Sequence, residues 1–388
     1  MPKYKFADLV YNITEKRLPV AGDEVFYIGL EHLDSGKLKV TRWGSKVAIK
    51  GEKLVMKKGD ILFGRRNTYL RRVAIAPHDG IFSAHGMIFR PKKEVINEDF
   101  FPFFIASDYF MDEAIRISVG SLSPTVNWGE LKELEFEIPS IEKQKELAKI
   151  LVAANQTKEN YEELLLKTDE LVKSQFIEMF GLIGKDEKGW GITSLGECCE
   201  LNPKRAKNIN DNTLVTFVPM PNLSEDGHID CSNIKSYKEV KKGFTYFEEK
   251  DVLFAKITPC MENGKGAVAE GLSNGIGAGS TELHILRPIK GKSNPYWLYI
   301  ITMFEEFRVE ARKNMTGTGG QLRVPIQYLA DYPISLPPID LQNQFEDFVR
   351  QTDKSKVNLQ KGLKRLENTK NMIIQSFSNE RRIKNAYV

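Results

Sequence analysis

The sequence predicts an α+β protein in which two similar mixed α/β modules are separated by two long helices that form an intramolecular antiparallel coiled coil. Three observations predict this. Residues 141–180 are a polar, proline-free run of good helix formers with Leu147, Leu151, Ala154, Tyr161, Leu165, Thr168, Val172 and Met179 on alternating steps of three and four. That spacing lays an apolar seam along a helix too thin to bury it alone. Residues 339–377 put Phe345, Val349, Thr352, Leu359, Leu363, Leu366, Ile373 and Phe377 on the same grid. Finally, a shift of 198 positions superimposes the two segments, with Pro139, Ile141 and Gln144 falling on Pro337, Ile339 and Gln342, so each seam finds its partner within the chain.

In order, the chain divides into a first module (1–140), a central helical spacer (141–180), a second module (181–338), a C-terminal helical spacer (339–378) and a tail (379–388). In the first module, residues 24–30 (EVFYIGL), 61–64 and 87–89 read as short strands between Gly, Asp and Pro breaks. Residues 97–116 read as one aromatic-rich helix able to pack on a sheet, and residues 119–127 (VGSLSPTVN) as a hydroxyl-bearing loop. After a glycine-rich linker at residues 181–191 the same order of features returns. Residues 58–65 (KGDILFGR) are echoed by 249–256 (EKDVLFAK), 88–91 (IFRP) by 285–288 (ILRP), 104–114 by 301–311, and the hydroxyl loop by 315–321 (MTGTGGQ). Residues 27–33 have a weaker counterpart at 217–223.

The composition, 41% hydrophobic and 28% charged over 388 residues, is that of a protein with room for two or three packed domains. The longest apolar stretches, residues 100–106 and 296–304, fall short of a membrane span, and the first residues lack a signal-peptide pattern. The expectation is a cytoplasmic protein with no membrane association. Cys198, Cys199, Cys231 and Cys260 show no C-x-x-C pairing, so they read as small apolar residues rather than zinc ligands or a disulfide framework.

A net charge of +4 argues nothing about partners, but its distribution does. Residues 37–72 hold twelve Lys or Arg against Glu52 and Asp60. Such density with an interleaved aromatic and amide is the footprint of a surface that meets double-stranded DNA. The candidate contacts in the first module are Arg65, Arg66, Asn67, Tyr69, Arg71 and Arg72, with His85 before a strand and Ser121, Ser123 and Thr125 on the hydroxyl loop. Those in the second are Lys204, Arg205, Lys256 and Thr258, with Thr316, Thr318, Gln321 and Arg323 on its loop. A rod of forty residues is about 60 Å long, which suits two half-sites one or two DNA turns apart.

Other patterns point away from catalysis by this chain. Residues 294–297 (NPYW) lack the second proline of an amino-methyltransferase motif and follow no cofactor-binding glycine turn, so they read as a helix start. Residues 275–279 (GIGAG) precede no Lys-Ser/Thr and read as a mobile loop or tight turn. His32, His78, His85, His228 and His284 show no ligand or triad spacing and read mostly as surface or strand-edge residues. Lys158 and Lys356 coincide at the 198-residue shift and occupy seam positions. The expectation is a locally open seam there, or ammonium groups snorkelling to water.

Taken together, the paired order of GDILF-(G/A)-(R/K), FRP or LRP, the small-residue loop, IPS-IEKQKELAKIL or LPP-IDLQNQF, and helices ending SQF or QSF resembles the specificity subunits of type I restriction-modification systems, over essentially the full length. The resemblance implies two target-recognition domains that read the halves of a split DNA sequence, and no catalytic site. It further implies docking of two methyltransferase subunits using S-adenosylmethionine, and of restriction subunits using ATP and magnesium, with no cofactor on this chain. The second module is less basic around Lys256 than the first is around Arg65 and has Ala255 in place of Gly64, which argues that the two read different half-sites. The DNA-reading subunit of a type IIB-like enzyme has a similar plan. A self-sufficient DNA methyltransferase and a purely structural spacer are the readings from other classes.

Overall fold

The structure, a computed structural model, describes the backbone of residues 1–385 and the side chains of residues 1–373. The side chain at the seam position Phe377 and residues 386–388 of the tail lie outside what is described. The chain divides into two compact units, residues 1–162 with 360–388, and residues 163–359.

The first unit is built on three sheets. Strand Lys3–Lys5 pairs antiparallel with Glu135–Glu137, joining the start of the module to its end. A four-stranded sheet runs Val10–Ile13, Met87–Pro91, Ile61–Phe63, Val73–Ile75, all antiparallel. The third sheet runs Lys16–Arg17, Lys53–Met56, Gly80–Phe82, Tyr27–Ile28, and its last pair is parallel. Residues 24–30 are therefore not one strand. Asp23 accepts hydrogen bonds from the Val20 N–H and the Arg17 guanidinium and turns residues Asp23–Phe26 into a helical turn before the strand starts. The aromatic segment is two helices, Phe101–Ile105 and Asp108–Arg116, because the Ser107 hydroxyl caps the second one by accepting from the Phe110 N–H. Phe6, Phe63, Phe89, Phe110 and Phe136 are buried between these helices and the sheet.

The second unit repeats the design. Strand Ile192–Ser194 pairs with Pro333–Ser335, and the four-stranded antiparallel sheet runs Cys199–Leu201, Leu283–Pro288, Val252–Ala255, Gly266–Val268. Its third sheet again has a parallel pair, Leu214–Val218 with Ile276–Gly279, and Thr245–Glu248 beside the latter. The fourth strand differs: Ile234–Ser236 adds to Leu214–Val218, at the edge opposite to the one that Lys16–Arg17 extends in the first unit. Residues 275–279 are thus largely strand rather than loop. Their glycines serve close approach, since a Cβ on Gly277 would stand 2.0 Å from the Phe247 ring.

Two of the sequence echoes are one structural device. Asp60, buried ahead of its strand, accepts from the Lys57 N–H at 2.8 Å and from Arg90 Nε and Nη2 at 2.8 and 2.9 Å. Asp251 accepts from the Glu248 N–H at 2.7 Å and from Arg287 Nε and Nη2 at 2.8 and 2.7 Å. The Asp of each DILF or DVLF motif therefore holds the Arg of its FRP or LRP partner. The Pro-x-Ile-x-x-Gln signature is a second device. Gln144 accepts from the Asn97 N–H and donates to the carbonyls of Val95 and Pro139, while Gln342 accepts from the Asn294 N–H and donates to those of Lys292 and Pro337. Each long helix is thereby tied at its first turn to its own module.

Helices Ile141–Phe180 and Ile339–Asn385 pack antiparallel. In the first unit Lys158 Nζ lies 2.9 Å from Glu367 on the facing helix, and in the second Lys356 pairs with Asp169. Asp169 and Glu367, like the two lysines, are related by the 198-residue shift. The lysine side chains are only 20% and 17% exposed, so the seam is neither open nor snorkelled there; each ammonium is held by an acid across the interface. Such pairs contribute less than about 1 kcal/mol each, and their effect is on register more than on stability. Beside Lys158 the seam closes tightly, because a Cβ on Gly362 would lie 2.6 Å from the Tyr161 ring. A mid-helix glycine costs about 1 kcal/mol against alanine, a cost offset by the seating of that ring. The shift-related positions hold Leu359 and Leu164.

Candidate DNA interface

In the first unit the strand Ile61–Phe63 runs into Gly64, whose N–H donates to Arg72 O at 2.9 Å and closes residues 65–72 into a loop. Inside it a 3-10 turn, Thr68–Leu70, is flanked by Asn67 and Arg71 at φ 53° and 50°. Buried Thr68 donates its hydroxyl to Arg65 O at 2.8 Å and holds that shape, leaving Tyr69 56% exposed at the turn. The hydroxyl loop zips onto this one. Asn67 N–H donates to Pro124 O at 2.7 Å, Val126 N–H to Arg65 O at 3.0 Å, and Val119 and Thr125 exchange two further backbone bonds. Arg66 Nη2 reaches Ser123 Oγ at 3.4 Å. Met87 pairs with Phe63, so exposed His85 stands at the same end of the sheet as Arg65.

The second unit makes the same junction. Thr258 N–H donates to Leu322 O at 3.0 Å, Val324 N–H to Lys256 O at 2.9 Å, and Thr316 and Arg323 exchange two backbone bonds. The structure thus brings Arg65, Arg66, Asn67, Ser123 and Thr125 together in one unit, and Lys256, Thr258, Thr316 and Arg323 in the other. Ser121, Thr318 and Gln321 are exposed on the same loops.

Not every predicted residue offers free charge. Arg71 is bound to Asp108 at 2.7 Å and Asp112 at 2.6 Å, the first turns of the capped helix, so it braces the loop rather than adding a positive site. Arg72 is half-buried against Gly64. In the second unit Arg323 is held by both oxygens of Glu282 at 2.9 and 2.8 Å, and that pairing keeps the Glu282 carboxyl below its usual range. Burial lowers the ammonium pKa of Lys256, with Glu282 opposing the change. Arg205 donates to Phe244 O at 2.5 Å and lies over the Tyr246 ring, which commits it to the third sheet rather than to the loops; Lys204, one residue earlier, is exposed. The first unit's face is therefore the more cationic of the two.

His284 departs from the expectation of a surface residue. It lies buried opposite Phe254, where the first unit has Met87 opposite Phe63. Its Nε2–H donates to Val324 O at 2.8 Å and its Nδ1 accepts from Asn202 at 3.1 Å, so it ties the base of the hydroxyl loop to the sheet as a neutral imidazole. Burial pushes its pKa down to about 4. With the folded value below the unfolded 6.5, the unfolded chain takes up a proton first as pH falls. Stability is thus present above pH 6.5 and is lost progressively from there to about pH 4, by about 3 kcal/mol at most. The variant His284→Met is expected to flatten that part of the stability profile, checked by hydrogen exchange at the amides of strand Leu283–Pro288 in both proteins between pH 7 and 4. Equal slopes would remove the assignment.

Asn294 caps the helix Pro295–Met303 by accepting from the Tyr296 and Trp297 N–H groups, so the Asn-Pro-Tyr-Trp segment is a helix start. Among the described residues no cluster of His, Cys, Asp and Glu fits a metal ion, and no helix is long and apolar enough to cross a membrane. Burial raises the thiols of Cys198 to about 11 and Cys199 to about 12.

Two modules that each zip two loops together at one sheet end define a protein built as a tandem repeat. Residues 18–166 and 187–368 match the type I restriction modification DNA specificity domain, and the chain belongs to that family. It is similar to the type I restriction enzyme EcoEI specificity subunit of Escherichia coli, 40% identical over 164 residues that make up 40% of this chain and 27% of that protein. The EcoAI specificity subunit of the same organism is 41% identical over 158 residues, 40% of this chain and 26% of that one. The match thus spans about a quarter of the length of these relatives. The type I restriction-modification S subunit from M. genitalium shares the fold, with a TM-score of 0.55 over 97% of this chain and 95% of that one, at 12% identity.

Proposed function

We propose that this chain is the DNA sequence-specificity subunit of a cytoplasmic type I restriction-modification complex, without catalytic activity of its own. Each module reads one half of a bipartite target through its paired loops. In the first, Arg65, Arg66, Tyr69, His85, Ser121, Ser123 and Thr125 form the reading face. In the second, Lys256, Thr258, Thr316, Thr318 and Gln321 do so, with Arg323 shaped by Glu282. The chain docks two methyltransferase subunits and, through them, restriction subunits; S-adenosylmethionine, ATP and magnesium belong to those partners.

The observation that carries this reading is the recurrence of one loop junction, with the same backbone hydrogen bonds, at the same place in both units. Side chains on a loop fixed by backbone bonding present donors in a set geometry, which base-edge reading needs, while phosphate contacts only require charge. Methylation-sensitive sequencing of DNA from cells carrying the complete system tests it. The expected result is methylated adenine in a split sequence with a fixed gap. A continuous target, or methyl transfer to DNA by the purified chain with S-adenosylmethionine alone, would overturn it.

A further inference from the structure

Among the described residues, Leu122 is the most exposed of the large hydrophobic side chains, at 95%. Leaving a leucine in water forgoes about 2 kcal/mol of burial, which singles out a position where nothing in the fold uses it. It is also held out rather than loose. Val119 and Thr125 close the stalk with bonds of 3.1 and 2.9 Å, Thr125 Oγ1 donates to Ser123 O at 2.9 Å, and the Asn67 N–H fixes Pro124 from the neighbouring loop. Gly120, at φ +111°, and Pro124 bracket the tip. On either side stand the hydroxyls of Ser121 and Ser123, the latter 3.4 Å from Arg66.

An apolar tip framed by two short hydroxyls and an arginine matches one feature of duplex DNA. In the major groove the only apolar group on a base edge is the thymine 5-methyl, flanked by acceptors and donors that hydroxyls and guanidinium groups reach. Across the corresponding loop of the second unit, between Thr316 and Arg323, the tip is Gly317, Thr318, Gly319, Gly320 and Gln321, and the loop's one leucine, Leu322, is half-buried at the position that Pro124 holds in the first unit. Resting on the function proposed above, we infer that Leu122 packs on a thymine methyl in the half-site read by the first unit, making it a specificity residue of that unit alone. A wedge inserted between base steps is the competing geometry, but such wedges unstack and kink the duplex, and hydroxyls beside the leucine are placed for base edges instead.

The test uses the full chain assembled with its methylating partner and duplexes in which each thymine of the first half-site is replaced in turn by deoxyuridine. One replacement is expected to weaken wild-type binding by about fourfold, the worth of one buried methyl. Leu122→Ala is expected to bind the thymine duplex several-fold more weakly and to lose the distinction between thymine and deoxyuridine at that position only. Wild-type indifference to every replacement, or a Leu122→Ala protein that still distinguishes them, overturns the inference. So does a rise in 2-aminopurine fluorescence at the neighbouring step that depends on Leu122, the mark of a wedge. A wild-type complex with no sequence-specific binding removes the proposed function itself, a result separate from these.

Discussion

Arg65→Ala combined with Arg66→Ala is expected to weaken DNA binding by about two orders of magnitude and to relax the half-site read by the first unit, with the other half-site unchanged. One arginine bidentate to guanine contributes about 1–3 kcal/mol of discrimination, roughly 5- to 150-fold. An arginine on phosphate contributes affinity without discrimination and lowers the salt slope by about one when removed. Anisotropy titrations from 50 to 200 mM salt, on cognate and mismatched duplexes, separate the two roles. Both side chains rise from a loop whose backbone is fixed by the N–H groups of Gly64 and Asn67 and by the bond from Val126 to Arg65 O, and among the described residues no acid pairs with either guanidinium. Arg323→Ala is the control. Its charge is already cancelled by Glu282, so its removal changes the salt slope less than removal of Arg66. Unchanged affinity and unchanged methylation pattern in the double variant would remove these residues from the interface.

The basic run of residues 37–72 was legible as charge, but charge counting cannot see where a guanidinium ends. Arg71 meets acids 37 and 41 positions away, Arg205 meets carbonyls 35 and 39 away, and Arg323 an acid 41 away. Each of those meetings is set by the sheets, not by local sequence. The seams were legible because a heptad pattern is a local property of one helix, and the 198-residue shift added the partner. What the shift could not supply was the cross-helix pairing of Lys158 with Glu367 and Lys356 with Asp169, since an acid on a helix surface reads as solvated. The GIGAG strand is hidden in the sequence for a related reason. Glycine signals a turn in sequence, whereas here Phe247 needs the space that a side chain at Gly277 would fill. One apolar residue in a polar loop carries no periodicity, so Leu122 stands out only through its exposure in the fold.

Asp251→Ala is expected to destabilise the second unit by about 3 kcal/mol, near the lower end of the range for breaking a buried pair. The carboxylate is 2% exposed and satisfies three donors at once, the Glu248 N–H and two nitrogens of Arg287. Burial works to raise its pKa while those donors work to lower it. Truncation leaves the Glu248 N–H and the Nε and Nη2 of Arg287 without their acceptor, only Nη1 keeping a carboxylate, Glu248 at 3.2 Å, and each group so orphaned costs its full desolvation penalty. Asp60→Ala is expected to cost less. Its partner Arg90 is 39% exposed against 23% for Arg287, so water replaces more of what is lost. Replacing both members, Asp251→Asn with Arg287→Met, is expected to recover part of the loss, because removing a buried charge along with its partner is close to neutral. With two units in one chain, a single melting curve does not report one equilibrium. Hydrogen exchange at the amides of strand Val252–Ala255 is the local measure, and protection there within about 1 kcal/mol of wild type would show that the shared Asp–Arg device is ornamental to the fold.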